Sequence, residues 1–215
     1  MVYFGSWDNH LYAVDANTGQ ERWKFKTEGE IGSSPAVSGG VVYFGSRDNH
    51  LYAVDANTGQ ERWKFKTESG IFSSPAVSGG VVYFGSWDNH LYAVDANTGQ
   101  QRWRFKTEGE IGSSPAVSGG VVYFGSEDNY LYAVDANTGQ QRWKFKTEGW
   151  IDSSPAVSGG VVYFGSRDNH LYAVDANTGQ ERWKFKTEGE ILSSPAVSGG
   201  VVYFGSLDNH LYAVK

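Results

Sequence analysis

Apolar and polar residues follow one another along this chain in short runs, each too brief for a helix and each closed by glycine, asparagine or aspartate. The segment VVYFG at 41–45 is β-branched and aromatic, and LYAVD at 51–55 alternates with period two. The run ERWKFKT at 61–67 alternates most clearly, with Trp63 and Phe65 on one face and Arg62, Lys64 and Lys66 on the other. SPAVS at 74–78 reads as a fourth, shorter strand. Between the runs, Asp48-Asn49, Asn57-Thr58-Gly59 and Gly79-Gly80 supply residues that accept a positive φ or close a tight turn. No helical periodicity competes with this pattern.

The four runs return every 40 residues. Near-copies of the first unit begin at Val41, Val81, Val121 and Val161, and a partial sixth covers 201–215. Self-similarity at this period, with four strands per unit, predicts an all-β propeller of four-stranded antiparallel blades. The whole of 1–215 reads as a single domain built from repeats 1–40, 41–80, 81–120, 121–160 and 161–200 plus the partial unit. In each blade, SPAVS is assigned the innermost strand A, followed outward by VVYFGS (B), HLYAVDA (C) and ERWKFKT (D). Strand A is small and nearly uncharged, as crowding near an axis requires, whereas the Lys and Arg residues of D blunt an exposed edge. Trp23, Phe25, Tyr3, Phe4, Tyr12 and their copies are the expected core between blades.

Strands B and C occur six times but A and D only five, because the chain opens on B-C-D and closes on A-B-C. Six blades, the first without its inner strand and the last without its outer one, is the favoured arrangement. The alternatives are five blades with a surplus hairpin, or closure by a second chain. The incomplete terminal blades are accordingly a route to self-association.

Charge and composition narrow the partners. A net charge of −6 speaks against nucleic acid, which requires a clustered basic surface. The absence of Cys removes disulfides, thiolate metal sites and a Cys nucleophile. No apolar run is long enough to span a bilayer, so no membrane is expected, and the sequence enters the first repeat without a signal peptide; the leader of a secreted precursor would lie outside it, and a cytoplasmic or recombinant protein is the default.

The stretch AVDANTGQERW at 13–23 recurs in every full repeat, with only the residue two before the Trp changing between Glu and Gln. Its pattern, Ala13-x-Asp15-x-x-Thr18-Gly19-x-x-x-Trp23, resembles the tryptophan-docking motif of the PQQ-type repeat, found in quinoprotein alcohol dehydrogenases and in an outer-membrane-assembly lipoprotein with a non-enzymatic propeller. The resemblance covers most of the chain. It implies that Trp23, Trp63, Trp103, Trp143 and Trp183 lock blade to blade by packing on the motif glycine of a neighbour. In the dehydrogenases of the family, PQQ and calcium sit among residues that differ between eight blades, often beneath a vicinal Cys pair. This chain has no Cys, too few repeats and no divergent acidic set, so the resemblance implies the fold without the cofactor, and neither cofactor nor metal is expected.

Function is sought where the repeats differ. The B-to-C turns vary at Trp7, Arg47, Trp87, Glu127, Arg167 and Leu207, and the D-to-A connections vary most at Phe72, Trp150, Asp152 and Leu192. Both sets emerge at the same end of a four-stranded meander, where propellers commonly bind ligands. Within one blade the variable residues pair as Gly32 with Arg47, Phe72 with Trp87, Gly112 with Glu127, Asp152 with Arg167, and Leu192 with Leu207. Trp150 is placed to stack on Arg167. One reading is a composite recognition surface for a peptide, protein or small ligand; the other is local packing and surface tuning. His10 and its copies open strand C away from the axis and the fourth copy is Tyr130, so a metal ring is not expected, and Glu127 with Asp152 lacks the orienting groups of an acid–base pair. Near-identity of the repeats fits an engineered or consensus-designed scaffold without enzymatic activity. A recently amplified natural array and a PQQ-dependent oxidoreductase fragment are the second and third readings.

Overall fold

The computed structural model describes all of residues 1–215 and contains no helix. Twenty-two strands form six antiparallel sheets, four of them four-stranded and two three-stranded. The chain divides into two compact units, Met1–Lys106 and Thr107–Lys215, each holding three sheets.

In the first unit, sheet 1 comprises β1 (Val2–Gly5), β2 (His10–Val14) and β3 (Glu21–Lys26). Sheet 2 comprises β4 (Ala36–Ser38), β5 (Val41–Gly45), β6 (His50–Asp55) and β7 (Glu61–Lys66). Sheet 3 repeats this with β8 (Ala76–Ser78), β9 (Val81–Ser86), β10 (His90–Asp95) and β11 (Gln101–Lys106). In the second unit, sheet 4 has β12 (Ala116–Ser118), β13 (Val121–Gly125), β14 (Tyr130–Asp135) and β15 (Gln141–Lys146). Sheet 5 has β16 (Ala156–Ser158), β17 (Val161–Gly165), β18 (His170–Asp175) and β19 (Glu181–Lys186). Sheet 6 ends with β20 (Ala196–Ser198), β21 (Val201–Ser206) and β22 (His210–Val214).

Strand order follows the sequence within every sheet, so each is a simple meander. Six sheets correspond to the arrangement in which the first lacks strand A and the last lacks strand D; no five-sheet solution with a surplus hairpin forms. Strand A is shorter than SPAVS, because Pro35 and its copies have no N–H to give a ladder. The residues before it are held instead by side chains: Ser33 Oγ donates to Gly45 O at 2.9 Å and accepts from Gly45 N at 2.8 Å.

Period-two alternation gives each sheet two apolar faces, and the core lies between neighbouring sheets. In the first unit, Tyr3, Leu11, Trp23, Phe25 and Ile31 meet Val42, Phe44, Tyr52, Val54 and Ala56. The same pairing recurs between sheets 2 and 3, and in the second unit between sheets 4 and 5. Between sheets 5 and 6, Leu171, Ile191, Trp183 and Phe185 meet Val202, Phe204 and Tyr212. Phe25 packs edge-on against both Phe44 and Tyr52, with centroids 5.9 and 5.4 Å away.

The C-to-D turn shows why the docking stretch is invariant. Asp55 Oδ1 accepts from the amides of Asn57 and Thr58, each at 3.0 Å, and Gly59 at φ +71° closes the turn. A Cβ on Gly59 would stand 2.7 Å from the Trp23 ring. Glycine is needed there for both its φ and its bareness.

Candidate functional site

The D-to-A connections and B-to-C turns form a loop face in each unit, stitched by backbone bonds. Arg47 N donates to Glu30 O at 2.9 Å, and Ile31 N to Ser6 O at 3.1 Å. A connection therefore runs between two B-to-C turns, that of the sheet it leaves and that of the sheet it enters. Asp48 secures it: Oδ1 accepts from His50 N at 3.1 Å, while Oδ2 accepts from Glu28 N at 3.0 Å and from the Tyr52 hydroxyl at 2.8 Å. Asn49 beside it adopts φ +69°. The sequence marked Asp-Asn only as a turn; the structure gives its carboxylate the further task of tying one blade's loop to the preceding connection. His50 faces the same turn, its Nδ1 lying 2.9 Å from Asp48 O.

In the first unit the variable residues build a stack. Phe72 and Trp87 lie nearly parallel with centroids 3.7 Å apart. The Arg47 guanidinium sits over the Phe72 ring at 4.6 Å from its centroid and also forms an ion pair with Glu30. Arg47, Asn49, Ser69, Gly70, Phe72 and Trp87 line a shallow cleft of about 340 Å³. Trp7 stands apart and is the most exposed large ring of the unit.

The pairing of Phe72 with Trp87 within one blade is present in the structure. Arg47, however, is not left with Gly32: its partners are Glu30 and, from the next connection, Phe72. Reading one repeat at a time hides that contact, because a connection touches the turns on both sides of it.

The second unit carries charge where the first carries aromatics. Arg167 Nε donates to Asp152 Oδ2 at 2.6 Å, stacks over Trp150 at 4.8 Å and lies 4.0 Å from Glu190. The hydrogen bond that Arg167 donates to Asp152 raises the Arg167 pKa further. Burial first, then the charges of Asp152 and Glu110, push the Glu127 carboxyl above its ordinary value, with Arg167 opposing them. Asn129, Glu148, Gly149, Trp150 and Arg167 line a cleft of about 300 Å³. Leu207 is strongly exposed and Leu192 partly so.

The five motif tryptophans are placed differently, away from the loop face and at the C-to-D turns. Trp23 Nε1 donates to Ala56 O at 3.1 Å, Trp63 Nε1 to Ala96 O at 3.1 Å and Trp143 Nε1 to Ala176 O at 3.0 Å. Trp103 is as buried as Trp143, and Trp183 packs in the core between sheets 5 and 6.

A PQQ–calcium site requires several converging carboxylate or amide oxygens. Nowhere do three His, Asp or Glu side chains converge in a way that could hold a metal ion, and Asp152 and Glu190 on the loop face of the second unit are paired with Arg167. The residues do not fit that group. No helix is long and apolar enough to cross a membrane.

Repeated four-stranded antiparallel meanders, joined face to face by indole-to-carbonyl bonds, define the class as a β-propeller of PQQ-like repeats. The sequence profile of the outer membrane protein assembly factor BamB matches residues 7–144 and 127–215, and the chain belongs to this BamB-like family. No curated protein sequence matches it. Among solved structures it is similar to BamB from Moraxella catarrhalis, at 22% identity and a TM-score of 0.85, over 98% of this chain and 68% of that one. It is also similar to the computationally designed Ika8 protein, at 21% identity and a TM-score of 0.89, over 98% of this chain and 66% of that one. The chain thus spans about two thirds of the length of either structure.

Proposed function

We propose that the chain is a non-catalytic recognition scaffold of engineered or consensus-derived repeats, whose invariant positions build blades and whose loop face binds a peptide or protein segment. The observation that carries this reading is the Arg47–Phe72–Trp87 stack in its open cleft. Arg and Trp are the residues most enriched at binding hot spots, and a preformed stack loses little side-chain freedom when a partner lands on it. The charged Glu127–Asp152–Arg167 cluster gives the second unit a different chemistry on the same scaffold. Membership of a family that includes an assembly factor agrees with a role in protein interaction.

Selection of a displayed random peptide library on the purified chain tests the reading. Peptides enriched on the wild type should bind the Arg47→Glu/Trp87→Ala variant about tenfold more weakly or worse, while its melting temperature changes little. Absence of enrichment, or binding indifferent to both substitutions, overturns it. Addition of PQQ with calcium should produce no saturable thermal shift; a clear one would establish the oxidoreductase reading instead.

A further inference from the structure

The two terminal sheets each present one bare apolar face. In sheet 1, Val2 is 48% and Phe4 43% exposed, whereas their equivalents Val42 and Phe44 are fully buried. Tyr12, Val14 and Ala16 continue this face and are likewise more open than Tyr52, Val54 and Ala56. In sheet 6, Leu211 is 80% and Tyr203 40% exposed, against 0% and 2% for Leu51 and Tyr43. Ala213 adds to the second patch.

What such faces bind is visible inside the same molecule. The face of sheet 1 that bears Tyr3 and Leu11 covers Val42, Phe44, Tyr52, Val54 and Ala56 of sheet 2, and the pairing is repeated in both units. Each of these contacts carries a polar latch: the Tyr3 hydroxyl donates to Ala56 O at 2.9 Å, Tyr43 to Ala96 O at 3.1 Å and Tyr123 to Ala176 O at 3.1 Å. The bare face of sheet 6 bears the donor side of this pairing, Tyr203 with Leu211 and Ala213. The bare face of sheet 1 bears the acceptor side, Val2, Phe4, Tyr12 and Val14 with the Ala16 carbonyl.

We propose that these two faces dock on one another between copies of this chain, sheet 6 of one copy covering sheet 1 of the next, with the Tyr203 hydroxyl donating to Ala16 O of the second copy. The partner is fixed by complementarity already realised at the interior contacts. The contact is heterologous, so it propagates head to tail into open chains or a closed ring. Sheet 6 lacks strand D and brings no counterpart of Trp23 or Phe25, so the docked pair is smaller than an interior one and exchanges readily.

Analytical ultracentrifugation of the 215-residue chain over micromolar to near-millimolar concentrations should show reversible growth in mass. Phe4→Arg removes the acceptor face and Leu211→Arg the donor face, and both positions are exposed, so near-ultraviolet circular dichroism and melting should match the wild type. Each variant alone should sediment as a monomer. An equimolar mixture retains one intact face of each kind and should form a dimer that grows no further. A wild-type chain that stays monomeric throughout overturns the proposal. So do variants that associate as the wild type does, or a mixture that remains monomeric.

Discussion

The indole nitrogen of Trp143 donates to the carbonyl oxygen of Ala176 at 3.0 Å, reaching from strand D of one blade to the C-to-D turn of the next. The ring is buried and lies against Gly179, where an added Cβ would meet it at 2.7 Å. One side chain thus joins two sheets by area, by shape and by a directed bond. Trp143→Ala should cost about 3–5 kcal/mol in urea unfolding, the usual range for emptying a buried aromatic site. A loss below ~1 kcal/mol would remove Trp143 from the docking role.

The same carbonyl has a second donor, the Tyr123 hydroxyl at 3.1 Å. Either donor alone can satisfy it. Trp143→Phe and Tyr123→Phe should therefore each be mild in their polar part, while the double variant strands a carbonyl between sheets. A double-mutant cycle should show the combined loss exceeding the sum by about 1 kcal/mol. Strict additivity would mean that the two bonds act independently.

Gly179 and Gly159 both hold positive φ, +71° and +57°, yet only Gly179 has an indole against the space a Cβ would fill. Gly159→Ala should cost only the left-handed backbone penalty, about 1–2 kcal/mol. Gly179→Ala adds the displacement of Trp143 to that penalty and should be clearly worse. Thermal melts of the two variants side by side decide it, and equal shifts would count against a shape-determined glycine.

How far the sequence alone reached is clear from these residues. Blade construction was legible because it is periodic: alternation in ERWKFKT placed Trp63 and Phe65 on the face that packs against sheet 3, and Asn-Thr-Gly announced the turn. Strand A starts two residues later than the run SPAVS suggests, since Pro75 removes a donor and Ser73 bonds Gly85 from the side chain instead. The loop face was only half legible. Phe72 with Trp87 and Asp152 with Arg167 lie within one blade, so spacing found them. The contacts of Arg47 with Phe72 and of Arg167 with Glu190 cross from one blade to the next connection. The period of a repeat carries no record of how neighbouring copies are turned relative to each other, and only packing supplies it.

At the C-to-D turns, Asp15, Asp55, Asp95, Asp135 and Asp175 are each lowered to about 2, first by the arginine seven residues on and then by turn amides. A carboxyl whose folded pKa lies below its unfolded one contributes stability above the unfolded value and loses it as pH falls toward the folded one. The melting temperature should accordingly fall mainly between the ordinary 3.8 and about 2, with five turns contributing together. Carbon-detected NMR titration of Arg62→Gln should show the Asp55 carboxyl titrating at higher pH than in the wild type while Asp95 is unmoved. An unchanged Asp55 would assign its depression to the turn amides alone.

Glu127 runs the opposite way. Burial and the neighbouring Asp152 and Glu110 raise its pKa, so the folded state holds that proton more tightly than the unfolded chain does. Its ionised form therefore destabilises the fold at neutral pH, and the penalty disappears once pH falls below the ordinary carboxyl value. Glu127→Gln should raise the melting temperature at pH 7, with the gain shrinking to nothing as the buffer is taken down through the glutamate range. Arg167→Gln should push the Glu127 titration higher still, because it removes the one charge opposing the shift. A Gln variant that is less stable than the wild type at pH 7 would show that the carboxylate is held by Arg167 more strongly than it is penalised by burial.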